Sequence, residues 1–166
     1  MSTIRAVIVA GVVAVGAVAA GVGIAGYDGP ADPRPRTDDA TALLGQFFDL
    51  TQHRDSATFC SRPTVLSADM CKHDWSRSGD AAGVPTQPPR VLSTRSEKDL
   101  VVLRVCGVDG RGQPYLSDFV VEQTGARTVV PFPVFWAGKT YSGTVPGGQP
   151  EVVQARPPGS PQPGCP

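Results

Sequence analysis

The chain has 166 residues, with 15 basic and 15 acidic side chains and a formal net charge of zero. No basic stripe and no interleaving of aromatic with basic residues is present, which argues against a nucleic-acid partner. Both ends read as non-globular, leaving about 100 residues for one small domain whose core has little surplus stability, so covalent staples would help it.

Asn is absent, and Arg far outnumbers Lys beside abundant Ala, Gly, Val and Pro. That is the bias of GC-rich codons, expected of a high-GC bacterium. Without Asn there is no N-glycosylation sequon.

Residues 1–26 carry the compartment signal. Arg5 is followed by Ala6–Gly26, which holds no charged residue. About 20 apolar residues suffice to span a bilayer as a helix. The same stretch reads as a signal peptide, with Ala6–Gly16 as the apolar region and Ala17-Val18-Ala19 as the cleavage site. Both readings stand, and both put the rest of the chain outside, at the cell membrane or secreted. No cysteine lies nearby, so a lipoprotein anchor is excluded. Gly21-Val22-Gly23-Ile24-Ala25-Gly26 fits the dinucleotide fingerprint in letters only, because no strand precedes it and no βαβ unit surrounds it. No cofactor is expected. Residues 27–36 are proline-rich and read as a linker.

The domain is expected over 37–141. Thr37 or Asp38 caps a first helix running to about Gln52, with Ala40, Leu43, Leu44, Phe47 and Phe48 on one face. Asp55-Ser56 caps a second short turn, Ala57–Cys60. Pro63 opens a third helical piece, from which Val65, Leu66, Met70 and Trp75 pack inward. Ser76–Pro89 is bland and reads as a loop. Four strands follow: Arg90–Ser96, Asp99–Val108, Tyr115–Gln123 and Arg127–Trp136. Asp99–Val108 is the longest apolar run of the domain and its expected central strand, with Val101, Leu103 and Val105 inward. Pro131 and Pro133 place the last strand at an edge or on a bulge. Helices followed by an antiparallel meander indicate an α+β fold, preceded by the transmembrane or signal helix. Residues 142–166 are rich in Gly and Pro and are expected to be a disordered tail.

Cys60, Cys71, Cys106 and Cys165 all follow the export segment, and an even count in an exported domain argues for disulfides. Cys60–Cys71 with Cys106–Cys165 is the preferred pairing, and Cys71–Cys106 rivals it. A metal reading of Cys60, Cys71, His73 and Asp74 lacks paired ligands at metal spacing. His53 and His73 fall where helices should end, where a positive charge is favourable. Asp118 and Glu122 share a strand face, where hydration accounts for them better than a buried carboxylate site. No catalytic residue, cofactor site or metal site is assigned.

The order of elements, from the capped helix Asp39–Phe48 through the Cys60 segment and Pro63–His73 to the meander, resembles the NTF2-like (cystatin-like cone) superfamily. The likeness is to the exported forms that high-GC Gram-positive bacteria carry behind one membrane segment. It implies a sheet bent round the long helix and a conical pocket. Some members use that pocket as polyketide cyclases or epoxide hydrolases do, while many exported members serve as binding domains. The expected function is therefore a non-enzymatic envelope protein that binds a protein partner or an apolar ligand. A small lyase, isomerase or hydrolase working in the cone, and a structural spacer, are the alternatives.

Overall fold

The computed structural model describes residues 34–144, 150–154 and 165. The expected membrane or signal segment, 1–26, lies outside these residues. Among the described residues no helix is long and apolar enough to cross a membrane.

Four helices precede the strands: α1 (Thr37–Thr51), α2 (Ser56–Cys60), α3 (Ala68–Arg77) and α4 (Asp80–Gly83). A four-stranded antiparallel sheet follows in the order β1 (Arg90–Glu97), β2 (Leu100–Val108), β3 (Pro114–Thr124) and β4 (Arg127–Val129). A separate hairpin pairs β5 (Lys139–Thr144) with β6 (Pro150–Gln154). The α+β class holds.

Helix α1 forms where its apolar residues recur at helical spacing, and Ala40, Leu44 and Phe47 are buried from it. Its N-cap is Arg36, with no side-chain cap, rather than Thr37 or Asp38. Asp38 and Asp39 still place negative charge in the first turn, where the helix dipole favours it. Asp55 caps α2 by accepting from the Ala57 and Thr58 amides. The hydrogen bond from the Thr58 hydroxyl, then that from the Ala57 amide, holds the Asp55 carboxyl below its ordinary value.

The third helix starts later than expected. Ser67 caps it, accepting from the Met70 amide, so Pro63 lies before it in a turn. The cause is a pairing with the sheet. Val65 bridges Val130 in parallel, and the Val130 amide donates to the Thr64 carbonyl at 2.6 Å. That ties residues 64–66 to Val130 before the helix can begin. Val65 and Trp75 are buried as expected, but Leu66 and Met70 are about half exposed, at 54% and 50%. The stretch 76–89 is not simply a loop: it completes α3 and forms α4. Gly79 between them takes φ +93, a left-handed conformation that favours glycine.

The central strand is β2, between β1 and β3. Val101, Leu103 and Val105 are fully buried on its inner face, together with Phe119 and Val121 of β3. Phe47 of α1 meets Phe59 at 5.3 Å and Phe119 at 5.7 Å between ring centroids. Trp75, Trp136 and Phe135 continue that aromatic layer, with spacings of 5.2 and 5.0 Å.

Two differences concern the C-terminal part. The fourth strand ends at Val129, not Trp136, because Pro131 and Pro133 have no amide to continue a ladder. It does lie at the sheet edge. The stretch read as a disordered tail contains the end of β5 and all of β6, with Tyr141 opposite Val152. The average Gly and Pro content of 142–166 concealed the apolar pair Val152-Val153, while the glycines at 147 and 148 fall between the two strands in sequence.

Phe47→Ala should cost about 3–5 kcal/mol, since it removes a buried ring from between α1, α2 and β3. Chemical denaturation measures this, and a loss below 1 kcal/mol would show that the layer is loosely packed.

Candidate functional site

Both preferred disulfides are present. Cys60–Cys71 joins α2 to α3, and Cys106–Cys165 ties residue 165 to β2. The rival Cys71–Cys106 pairing is overturned, and among the described residues no cysteine is free. In the chain-entropy account, bridges at separations of 11 and 59 residues are worth about 3 and 4 kcal/mol. The sulfurs of the Cys60, Cys71, His73 and Asp74 group are bonded to each other. Asp74 instead receives Lys139 Nζ at 2.6 Å.

His53 is exposed beyond the end of α1. His73 is exposed in the middle of α3, not at its end, because that helix continues to Arg77. His53 borders a shallow groove beside Asp49 and Arg62.

Asp118 overturns the expectation of a hydrated outer face. It is 2% exposed and bound through both oxygens. Arg104 Nε donates to Oδ1 at 2.8 Å and Nη2 to Oδ2 at 2.9 Å, while the Tyr141 amide donates to Oδ2 at 2.9 Å. These hydrogen bonds to Asp118 raise the Arg104 pKa, keeping it charged. Glu122 is only partly buried. Burial lifts its carboxyl above the ordinary range, the Thr124 hydroxyl opposes the shift, and Asp99 adds to it.

The reason Asp118 is buried is the β5–β6 hairpin. Strand β4 pairs only with residues 122–124 of β3. Farther along β3, the chain at 138–141 attaches through side chains. The Gly138 amide donates to Ser117 Oγ at 2.8 Å, and the Tyr141 amide to Asp118. Tyr141 packs with Leu100, Val102 and Val120 on the outer face. Its hydroxyl reaches Glu97 of β1 at 3.3 Å, and the Arg95 guanidinium lies 5.2 Å from its ring centroid. Arg95 also pairs with Glu97 at 2.7 Å. Arg104, Tyr141 and Lys139 were not singled out from sequence. Arg104 was detectable in principle: a charge inside an apolar strand needs a partner, and Asp118 is the charge inside the next one.

The buried inner cluster is built mainly of aliphatic and aromatic side chains. Among the described residues, only Tyr115 Oη and Trp136 Nε1 are buried side-chain polar atoms without a hydrogen-bond partner. The phenol lies against Gly107, where an added Cβ would come within 2.7 Å of the hydroxyl and push the ring aside. Burial, then the Asp109 charge, raises the Tyr115 pKa well above its ordinary value.

One groove of about 710 Å³ opens at the far end of the sheet, within the range of small-molecule sites. Thr86, Gln87, Arg90, Cys106, Asp109 and Cys165 line it. Asp109 is already committed, accepting from the Arg111 and Gln113 amides and pairing with the Arg111 guanidinium at 2.8 Å. The groove therefore presents a disulfide, a guanidinium and small polar groups. Neither His53 nor His73 is among its described lining residues.

Two substitutions test these assignments. Asp118→Ala should cost about 2–4 kcal/mol, because it strands the Tyr141 amide and removes the partner of Arg104. Hydrogen exchange at the Tyr141 amide should accelerate more than exchange in α1, and an unchanged Tyr141 amide would refute the tether. Tyr115→Phe should stabilise the fold at pH 7 by roughly 1 kcal/mol, because it deletes a buried unpaired hydroxyl. The folded-state phenol pKa lies above the unfolded value of 10.0. Ionising the phenol thus costs more in the folded state, so stability is independent of this group below pH 10 and falls as pH rises from 10 through the raised value. Denaturant melts should show the wild type weakening above pH 10 more steeply than the variant. No family model matches the chain, and comparison with curated proteins and with solved structures found no match.

Proposed function

We propose that the chain is an extracytoplasmic, disulfide-stapled domain that works by binding a protein partner rather than by catalysis. The observation that carries this reading is the pair of disulfides around an interior already filled with aromatic rings. Disulfides persist in oxidising compartments, which suits a location outside the cytoplasm. The uncharged Ala6–Gly26 segment supplies the sequence support for export, as a membrane anchor or a signal peptide.

The alternatives lose ground on geometry. A cone-pocket enzyme needs polar side chains converging in a cavity between helix and sheet. Phe47, Phe59, Phe119 and Trp136 occupy that layer instead. The same filling counts against an apolar ligand inside. The NTF2-like relationship is part of the proposal, supported by the order of a long helix, short helical pieces and an antiparallel sheet.

Crosslinking in intact cells should capture one reproducible protein partner outside the cytoplasmic membrane. Repeated recovery of the monomer alone, at native expression, would overturn the binding reading.

A further inference from the structure

The two disulfides are not equally open to attack. Cys60 and Cys71 are each 1% exposed and belong to the aromatic core, with Phe59 and Trp75. Cys106 is 0% exposed, but Cys165 is half-buried, and both line the 710 Å³ groove. Arg90 is the cross-strand partner of Cys106 and lines the same groove.

We propose that Cys106–Cys165 is a thiol–disulfide exchange site, attacked at Cys165 by a thiol entering the groove, while Cys60–Cys71 is a permanent staple. Exchange requires a thiolate to approach one sulfur along the S–S axis, and access decides which sulfur is struck. An attacking thiolate forms a new S–S bond to Cys165, and the electron pair of the broken bond leaves on Cys106 as thiolate. A second thiol then attacks the mixed disulfide. It frees Cys165 as a thiolate, and the two reductant thiols end as one disulfide. The substrate class is a small thiol or the cysteine of a partner protein. The inference goes beyond the binding role and does not depend on it.

The test uses the oxidised full-length protein in detergent micelles with reduced glutathione at neutral pH and no denaturant. Samples are quenched with iodoacetamide and mapped by peptide mass. Cys106 and Cys165 should be alkylated at least about tenfold faster than Cys60 and Cys71, with the transient glutathione adduct on Cys165. Equal rates, faster opening of Cys60–Cys71, or an adduct on Cys106 would each overturn the proposal. A Cys106→Ser/Cys165→Ser protein, folded by circular dichroism, should keep Cys60–Cys71 resistant to the same reagent. Rapid opening there would show that the contrast came from the second staple rather than from burial, and would equally overturn it.

Discussion

The arrangement turns on the bond between Arg104 and Asp118. Strand β2 is apolar on both faces, and both faces are covered: the inner by α1 and the aromatic layer, the outer by Tyr141. A charge in such a strand is costly unless it is paired and hydrogen-bonded. Arg104 meets that condition by a bidentate grip on the residue opposite it in β3. The same carboxylate then accepts the Tyr141 amide, so one buried anion fixes both the sheet register and the position of the β5–β6 hairpin. Arg104 keeps part of its side chain in water, which lowers the cost of burying the pair.

This explains what was legible in the sequence. Helix α1, the central strand and the inward set Val101, Leu103 and Val105 follow from periodicity, because each buries a continuous face. Asp55 as a cap followed from its place just before a short apolar turn. The cysteine pairing was favoured because it would clamp neighbouring helices and hold the tail. What escaped were features made by contacts distant in sequence. The parallel bridge between Val65 and Val130 delays α3 and leaves Leu66 and Met70 outside. The hairpin converts a strand face expected to meet water into a second interface. Neither has a local signature, since each depends on residues 23 to 65 positions away.

For the candidate site, the sequence supplied the cysteines but not their inequality. Burial separates them: one bridge sits among Phe59 and Trp75, and the other borders a groove. Lys139, meanwhile, links Asp74 of α3 to the start of β5 and lies 5.3 Å from the Phe132 ring centroid. The helical clamp and the hairpin are thus tied to each other as well as to the sheet.

The 59-residue span of Cys106–Cys165 has a consequence for the order in which the molecule is made. A ribosome delivers Cys60, Cys71 and Cys106 well before Cys165. For that interval three thiols share the nascent chain, and the correct partner of one does not yet exist. The 11-residue separation of Cys60 and Cys71 lets a local encounter join them early. Cys106 then has only Cys165 left to find. Early closure of the short bridge thus removes two of the three thiols that could compete for Cys165 or mispair with Cys106.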